Sequence, residues 1–594
     1  MASAAAPATD RDLVSVQDAR LLARAARQAQ TLLAEFSQEQ VDRIVDRMAE
    51  AARREIESLA KQAVEETGFG VVADKVTKNR FAAETVHAFI QPMKTVGVIR
   101  RHDNRKVLEI AEPFGVVAAI VPSTNPTSTA IYKILIAIKA RCAIVLSPHP
   151  SAVGCIVRTA EIMHAAATAA GLPADAIGWM KTVTLEGTQE LMRQREVSVI
   201  LATGGMGLVR AAYSAGKPAY GVGPGNAPAY IHRSANVPKA VADIITGKTF
   251  DNGLLCSSEN SVVVDADIAA QVRSAFESRG GYFLKDAEAA ALASVLVTPQ
   301  RLPNPECVGR SAVHIAEKAG IRVPPSTRVL LAPLDGVGRN HPLSIEKLCP
   351  VLSFYVVADW RAGCERCKEI LRYGGMGHTM SVHSTDDDVI LQFGLHKPAF
   401  RIVVNTPTTL GSIGLTTGLD PAMTLGCGGY GGNITSDNIS PMHLLNIKRL
   451  AYETSPVNQA AAVSLPVQAQ GEPSTARPVA APAPAAFAAT SLRERIDGFL
   501  VARGYTPLAP SPPSAALPGP AASPGATVLP AQPSANTTAP AETEPPVEEL
   551  DFVAEDDVRR ALARGGRIRL KPRGIVTPSA RDLASGRSVL LEST

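Results

Sequence analysis

Long apolar runs and aromatic residues are both scarce in this chain. Of its 594 residues, 4% are aromatic and two are tryptophan. The most apolar region, 115–146, is interrupted by Pro122, Lys133, Lys139 and Arg141, so no stretch reaches the roughly 18 apolar residues that a membrane-spanning helix requires. The first residues also lack a basic region followed by an apolar core. The sequence therefore predicts neither a membrane span nor export.

Neither sign of charge dominates, and cysteine is sparse. The 60 Lys and Arg residues are interspersed with 56 Asp and Glu residues, so a nucleic-acid-binding surface is not expected. Eight scattered cysteines indicate a reducing compartment rather than a disulfide framework. One close pair, Cys364 and Cys367, has no second pair or His cluster near it in sequence, and its charged neighbours favour an exposed helix face. No metal site is predicted there or elsewhere.

Short apolar runs alternate with helical patterns over the first 455 residues. Residues 17–64 have apolar residues at helical spacing, which favours helices. Apolar or β-branched runs then alternate with helical stretches, the runs at 106–121, 142–147 and 198–202 and the stretches at 151–170 and 206–215. This alternation predicts an open, doubly wound α/β fold. Its ligands would bind at the carboxyl ends of the strands, where Asn125, Ser147 and Thr203 lie.

A change in composition begins near residue 455. Residues 455–550 are rich in Ala and Pro, with 18 of the 44 prolines, and such a stretch buries too little apolar surface to fold, so it is interpreted as an extended linker. Within it, 491–503 begins with a Ser cap and places apolar residues at helical spacing, which predicts a short amphipathic helix. The final segment, 551–594, is expected to be structured again, with a helix from Glu555.

A presented cysteine follows a turn-forming Asp-Asn-Gly in the segment 249–259. Cys256 is surrounded by small polar residues, and the preceding turn offers backbone N–H groups to a developing negative charge. A thiol in an exposed, electropositive or helix-N-terminal setting is reactive as its thiolate. Most cysteines, however, are small buried apolar residues, so local chemistry leaves both interpretations open.

Four further segments occur in a fixed order with this one. They read PSTNPT at 122–127, ATGGMG at 202–207, GVGPGN at 221–226 and EKLCP at 346–350. Together they resemble the aldehyde dehydrogenase superfamily, over roughly residues 15–455. The closer resemblance is to CoA-acylating propionaldehyde and acetaldehyde dehydrogenases of bacterial microcompartments, through TFDNG at 249–253, GVGPGNAPAYI at 221–231, YGGMGHTMSVHS at 373–384 and TLGCGGYGGN at 424–433.

The resemblance implies roles for two catalytic residues. Cys256 matches the nucleophile that adds to the aldehyde to form a thiohemiacetal. Asn125 matches the side chain that forms the oxyanion hole together with the backbone N–H of Cys256. Without the resemblance, Asn125 would be interpreted as a turn residue before a proline.

The resemblance also implies a cofactor site for NAD. Glu346 matches the carboxylate that binds the nicotinamide ribose, although the family pattern E-x-F-G-P is E-K-L-C-P here. Thr203, Gly204 and Gly205 match the turn beside the cofactor, where missing side chains permit close approach. The remaining expected cofactor-binding residues are Ser147, Pro148 and Gly223. No lysine follows the strand near Ser147, which leaves the choice between NAD and NADP open.

The expected acceptor of the acyl group is coenzyme A. Hydrolytic relatives activate water with a glutamate, whereas the matching segment, 221–226, contains no carboxylate. A thiol with a pKa near 8.5 needs less activation than water does. His149 and His378 are not assigned a proton-transfer role by spacing alone, because a packed or loop histidine is the favoured interpretation of His149 and an equal alternative for His378.

The sequence therefore predicts an NAD-linked, CoA-acylating dehydrogenase of propanal or acetaldehyde, in a cytoplasmic microcompartment lumen. Its predicted domains are 1–235 for the cofactor and 236–430 for catalysis, and the family's oligomerisation elements match 96–110 and 431–454. Helix 491–503 resembles an encapsulation peptide that binds a shell protein; the alternative is docking onto the enzyme itself. Rival functions are a hydrolytic aldehyde dehydrogenase that makes a free acid and a catalytically weak, shell-organising interaction protein.

Overall fold

The computed structural model describes residues 10–455, 547–553, 555–576, 578–584 and 590–591. The chain forms two compact units, Met1–Leu465 and Pro466–Thr594. Residues 456–546, which hold most of the predicted linker and the predicted helix at 491–503, lie outside the described residues. None of the described helices is long and apolar enough to cross a membrane.

The first unit alternates helices with strands along most of its length. Its α-helices are Arg11–Leu33 (α1), Gln38–Arg54 (α2), Ile56–Thr67 (α3), Val72–Arg80 (α4), His87–Ile90 (α5), Pro126–Lys139 (α6), Val153–Ala169 (α7), Leu185–Arg193 (α8), Met206–Tyr213 (α9), Val237–Thr249 (α10), Ala269–Glu277 (α11), Asp286–Leu296 (α12), Ala312–Lys318 (α13), Trp360–Tyr373 (α14), Asp387–His396 (α15) and Thr408–Ser412 (α16). Its strands are Gly97–His102 (β1), Val107–Pro113 (β2), Val116–Val121 (β3), Ala143–Pro148 (β4), Ile177–Trp179 (β5), Val197–Thr203 (β6), Ala219–Val222 (β7), Ala227–Ile231 (β8), Glu259–Asp265 (β9), Gly281–Phe283 (β10), Val329–Pro333 (β11), Val351–Val357 (β12), Gly377–His383 (β13), Ala399–Val404 (β14) and Leu445–Ala451 (β15).

A five-stranded parallel sheet has the order β5-β4-β3-β6-β7. Every residue of β3 and β4 is buried, as expected for strands that are covered by helices on both faces. The chain builds outward from β3 to β5 and then returns to the other side of β3 with β6. This reversal creates a crevice between the carboxyl ends of β3 and β6, the position where open α/β sheets bind ligands.

A seven-stranded parallel sheet follows, in the order β10-β11-β12-β9-β8-β13-β14. It begins with β8, so it starts before the domain boundary predicted at residue 235. Helices α10 and α11 pack on one face and α14 and α15 on the other, around separate apolar cores. The prediction of a doubly wound α/β fold with parallel strands is confirmed.

A small antiparallel sheet is formed by β1, β2 and β15. Strands β1 and β2 form a hairpin at the place where 96–110 was predicted to form one. Strand β15 returns from the end of the unit and pairs with β2 from Leu445 against Pro113 to Ala451 against Val107. The hairpin and the segment predicted at 431–454 therefore share one sheet.

The cysteines of α14 differ from the prediction. Cys364 and Cys367 are 6% and 0% exposed and pack in the apolar core beneath the helix. The expectation of an exposed face for this pair is wrong for the thiols, because the charged neighbours take the outer side and leave both cysteines inside. Among the described residues, no group of three or more His, Cys, Asp or Glu side chains could hold a metal.

The second unit is a small parallel layer. Strands Val547–Val553 (β16), Arg567–Val576 (β17) and Leu590–Leu591 (β18) have the order β16-β17-β18. The helix expected from Glu555 spans Glu555–Arg564 (α17), and Pro578–Ala584 (α18) is the next helix. Val553, Val558 and Ile568 are fully buried between the helices and the sheet.

Candidate active site

A cavity of about 440 Å³ lies at the carboxyl ends of β3, β4 and β6. It is open to solvent on one side and extends inward to the segment after α10. The structure brings all nine predicted site residues together in its lining, namely Asn125, Ser147, Pro148, Thr203, Gly204, Gly205, Gly223, Cys256 and Glu346. Residues that are up to 221 positions apart in sequence thus share one site, while the chemical role of each stays a prediction.

The turn before Cys256 has an unusual backbone. Asp251, Asn252 and Gly253 follow one another with φ values of 49°, 54° and 75°. Left-handed backbone costs about 1 kcal/mol or more for a residue with a side chain, so it persists only when its surroundings fix it. Here the Asp251 N–H donates to Asp74 Oδ2 at 2.8 Å, and Asn252 Nδ2 donates to the Gly309 carbonyl at 2.9 Å.

Cys256 lies in the lining of the cavity, where the residue as a whole is partly exposed. Burial raises its pKa to about 12, and the charges of Glu346 and Cys427 act in the same direction, whereas Arg401 opposes them. The thiol of the free protein is therefore protonated at neutral pH, and the nucleophilic role of Cys256 stays a prediction.

Glu346 holds the loop that crosses the site. Its Oε1 accepts a hydrogen bond from the backbone N–H of Gly225 at 2.8 Å. Burial raises the pKa of Glu346 to about 8, against the opposing effects of that N–H group, Lys248 and Lys347. The carboxyl group is therefore mainly protonated at neutral pH, which limits its electrostatic effect on the thiol.

Asn125 lies where β3 passes into α6. It occupies the N-cap position of α6, but its side chain makes no capping hydrogen bond to the helix. Instead, Oδ1 accepts from Lys78 Nζ at 2.5 Å, and Nδ2 donates to Thr124 Oγ1 at 3.2 Å. The second N–H of the amide is thereby left available at a partly exposed position on the cavity wall.

Sequence analysis missed a buried ion cluster behind Asn125. Lys75 and Lys78 are each 2% exposed on α4, and Asp251 is fully buried. Both lysines donate to Asp251 Oδ2, and Lys75 Nζ also donates to the Thr124 carbonyl at 3.1 Å. The spacing of three residues places both lysines on one helix face, but no local pattern pairs them with an aspartate more than 170 residues away.

His378 is buried close to the nucleophile. Its Nδ1 is 2.9 Å from Thr379 Oγ1, and its Nε2 has no hydrogen-bond partner among the described residues. A β-carbon on Gly225 would lie 1.9 Å from the Cys256 carbonyl oxygen and 3.3 Å from His378 Cδ2. Burial, assisted by Arg401, lowers the pKa of His378 to about 3. The imidazole is therefore neutral at neutral pH and is a weak proton acceptor.

His149 has a different position. It is exposed at the outer end of the cavity, where its Nδ1 accepts from the backbone N–H of Ser151 at 3.2 Å. The side chain thus caps the short turn before α7.

The outer half of the cavity suits a dinucleotide. Thr203 Oγ1 is buried without a hydrogen-bond partner among the described residues, and a bound polar group would satisfy it. Gly204 and Gly205 precede α9, whose N-terminus favours an anion such as a pyrophosphate. A β-carbon placed on Gly205 would meet no described atom within 4 Å, so its backbone is open to close approach. Ser147 Oγ is already paired with Thr188 Oγ1 at 2.8 Å.

The chemistry of the site follows from what lines it. A thiol and an amide donor lie at the inner end of a crevice whose outer end suits a dinucleotide, and Glu346 is the sole carboxylate among the described residues of the lining. Such a combination is typical of a dehydrogenase, with the role predicted for Cys256 being that of a covalent nucleophile. The sequence model of the aldehyde dehydrogenase family matches residues 5–280.

Comparison with other sequences places the chain in that family. Succinate-semialdehyde dehydrogenase (acetylating) from Clostridium kluyveri is 38% identical, over 72% of this chain and 94% of its own length. The bifunctional aldehyde-alcohol dehydrogenase AdhE of Escherichia coli is 42% identical, over 74% of this chain but 50% of its own. The chain belongs to the aldehyde dehydrogenase family, and it spans about half the length of the bifunctional relative.

Solved structures agree with this assignment. An acetylating aldehyde dehydrogenase from Geobacillus thermoglucosidasius has a TM-score of 0.74 and 49% identity, covering 76% of this chain and 100% of that one. A propionaldehyde dehydrogenase from a Clostridium phytofermentans fucose utilisation microcompartment has a TM-score of 0.67 and 27% identity, covering 74% of this chain and 99% of that one. Rhodopseudomonas palustris propionaldehyde dehydrogenase, with bound CoA and an acylated cysteine, has a TM-score of 0.66 and 28% identity, covering 73% of this chain and 97% of that one.

Proposed function

We propose that this protein is a CoA-acylating aldehyde dehydrogenase, which converts a short aldehyde, propanal or acetaldehyde, into its acyl-CoA. The observation that carries the proposal is the inner end of the cavity. Cys256 and Asn125 line it together, while the crossing segment 221–226 contains no carboxylate that could activate water. Similar proteins carry the words acetylating or propionaldehyde dehydrogenase in their names.

The first step forms a bond between the Cys256 sulfur and the aldehyde carbon. The thiol proton passes to water in the open cavity, and the carbonyl oxygen gains the negative charge of the thiohemiacetal. Asn125 Nδ2 and the Cys256 backbone N–H stabilise that charge, and loss of one such donor typically costs about 100- to 1,000-fold in rate. A nicotinamide cofactor held by Thr203, Gly204, Gly205 and Glu346 would supply the acceptor for the hydride of that carbon. A thioester then remains on Cys256.

The cofactor is held by the outer half of the cavity. Gly204 and Gly205 have no side chains and so allow the cofactor to approach their main chain closely. Thr203 Oγ1 provides a hydrogen bond, and Glu346 is positioned for the ribose. Gly223, Ser147 and Pro148 complete the wall. Because the described residues of the adenosine end include no carboxylate that would repel a 2′-phosphate, NAD and NADP are both retained as candidates.

The second half of the reaction transfers the acyl group to the sulfur of coenzyme A. The thiolate form of coenzyme A, a few per cent of the thiol at neutral pH, attacks the thioester carbon, and the bond between that carbon and the Cys256 sulfur breaks. The Cys256 thiolate that leaves then takes up a proton from water.

The proposal is tested by following NADH at saturating propanal, with and without coenzyme A, and by identifying the product by mass. Strict dependence on coenzyme A with propionyl-CoA as product is expected. Free propionate without a requirement for coenzyme A would identify a hydrolytic enzyme and overturn the proposal. Acetaldehyde and succinate semialdehyde, assayed in parallel, establish the preferred substrate class.

We further propose that the protein works in a microcompartment lumen. The support is the origin of one similar structure, together with the predicted amphipathic helix at 491–503, which lies outside the described residues. Residues 486–506 fused to a fluorescent protein should enter purified shells. A reporter that stays outside would contradict shell targeting and leave docking onto the enzyme as the interpretation of the helix.

A homo-oligomer is the expected assembly. Strands β1 and β15 are the two open edges of the small antiparallel sheet, and most of their residues are exposed. Open strand edges pair readily with another chain. Light scattering coupled to size exclusion should give a multiple of the monomer mass of 62.3 kDa. A monomer at micromolar concentration would exclude this assembly.

A further inference from the structure

We propose that Lys78 is a positioning residue for the reaction, because its ammonium group fixes the orientation of the Asn125 carboxamide. This inference rests on the proposed function, in which Asn125 stabilises the oxyanion. Lys78 itself is 2% exposed and is not among the described residues that line the cavity. It therefore acts through Asn125 rather than on the substrate.

The orientation of an amide is decided by the groups around it. An ammonium group has three hydrogen-bond donors and no acceptor, so it can pair with the oxygen of a carboxamide but not with its nitrogen. Lys78 Nζ lies 2.5 Å from Asn125 Oδ1. This contact forces Nδ2 to the opposite side, where Thr124 Oγ1 takes one of its two N–H groups. The other remains available for a substrate oxygen.

The same ammonium group reaches the segment that carries the nucleophile. Lys78 donates to Asp251 Oδ2, five residues before Cys256, and Val71 N–H donates to Asp251 Oδ1 at 2.7 Å. Asp251 is therefore held from two sides in its left-handed backbone conformation. The Asp251 carboxylate is thus linked to both proposed oxyanion donors. It reaches Asn125 Nδ2 through Lys78 and the Cys256 N–H through the short stretch of chain between them.

Neutralising Asp251 does not by itself require Lys78. Lys75 is equally buried and pairs with the same oxygen, Oδ2, at 3.1 Å. A second buried lysine is costly unless its donors find partners. The contact that distinguishes the two lysines is the one from Lys78 to Asn125, whereas Lys75 donates to the Thr124 carbonyl. The orientation of the Asn125 amide therefore depends on Lys78 and not on Lys75.

A double-mutant cycle tests the inference in the full-length protein. Lys78→Met should lower kcat by about 10- to 100-fold with little change in the KM for NAD. This loss of kcat is smaller than the one expected when an oxyanion donor is removed completely. In an Asn125→Ala background the same substitution should change kcat by less than about 3-fold, because its effect passes through Asn125. Lys78→Arg, which keeps a donor-only cation, should recover part of the rate.

Lys75→Met is the matched control, since it removes an equally buried lysine from the same carboxylate. It should lower the melting temperature as much as Lys78→Met does. Its fold-reduction of kcat should be at least about tenfold smaller than that of Lys78→Met. If Lys78→Met does not yield folded protein, Lys78→Gln takes its place in the cycle. Equal effects of the two lysine variants on kcat, or additive effects of Lys78 and Asn125 substitutions, would overturn the positioning role.

The outcomes separate this inference from the proposed function. If Asn125→Ala leaves kcat unchanged while Lys78→Met lowers it, the oxyanion role of Asn125 is wrong and the inference falls with it. If Asn125→Ala lowers kcat and Lys78→Met does not, the proposed function stands and the positioning role of Lys78 is rejected.

Discussion

A β-carbon on Gly225 would lie 1.9 Å from the carbonyl oxygen of Cys256. The glycine also donates its N–H to Glu346 and lies against His378. Its missing side chain therefore allows the segment 221–226 to cross the nucleophile in direct contact with its backbone. This segment stands where hydrolytic relatives carry a water-activating glutamate. Its close packing on Cys256 requires that residue 225 has no side chain.

Gly225→Ala should displace the Cys256 backbone, since the contact is with main chain that cannot rotate away. A displacement of about 1 Å near reacting groups can cost on the order of 100-fold in rate, and a loss of kcat of at least that size is expected. Gly394→Ala is the control, because Gly394 is exposed in α15 with open space around it and should instead stabilise the protein slightly. Normal activity of Gly225→Ala would show that the two segments separate readily.

Alkylation of Cys256 by iodoacetamide should be slow at neutral pH and accelerate about tenfold per pH unit up to at least about pH 9.5. The reason is that burial and Glu346 raise the pKa of the thiol to about 12, so the thiolate fraction keeps increasing with pH. The other seven cysteines are buried, and mass mapping identifies the modified residue. A plateau near pH 7 would contradict a protonated thiol in the free protein.

Glu346→Gln should accelerate that alkylation only at high pH. The pKa of Glu346 is raised to about 8, so the carboxylate carries charge above this pH and little charge below pH 7. Removing it lowers the pKa of Cys256 where the charge was present. Wild-type and variant rates should therefore coincide below pH 7 and separate above pH 8. Separation of the two rates over the whole range would mean that Glu346 is ionised throughout.

Aldehyde and NAD without coenzyme A should produce a burst of one NADH per active site, followed by a stall. The thioester on Cys256 accumulates because no carboxylate in 221–226 activates water. Stopped-flow absorbance measures the amplitude, and Cys256→Ser serves as the variant without a burst. Continued turnover at the burst rate would indicate hydrolysis.

Stability should depend on pH through Lys133, which is fully buried and donates to the carbonyls of Ile120 and Leu201. Burial lowers its pKa from 10.5 to about 7, so the unfolded chain binds more protons than the folded one between these values. Stability from this group therefore increases as pH rises through that window, on the order of 1 kcal/mol per unit at most. Urea unfolding of Lys133→Met should lack this increase, whereas the exposed Lys61→Met should keep it.

Several features were predictable because they are local in sequence. Alternating apolar runs and helical stretches indicated the parallel sheets, and the reversal of strand order explains why Asn125, Ser147 and Thr203 meet. Short motifs also identified nine of the residues that line the cavity. What they did not reveal was the environment of Cys256, because its pKa is raised first by burial and then by Glu346 and Cys427, which other segments bring there.

The amino-acid sequence by itself determined the fold class, the family and the identity of the residues at the cavity, since hydrophobic periodicity and motif order are carried by neighbouring positions. The tertiary structure alone decided how those residues are held. The buried pairing of Lys75 and Lys78 with Asp251, the orientation of Asn125 and the protonated state of Cys256 depend on desolvation and on contacts between segments far apart in the chain. Such effects arise only when distant segments exclude water together, and no local pattern encodes them.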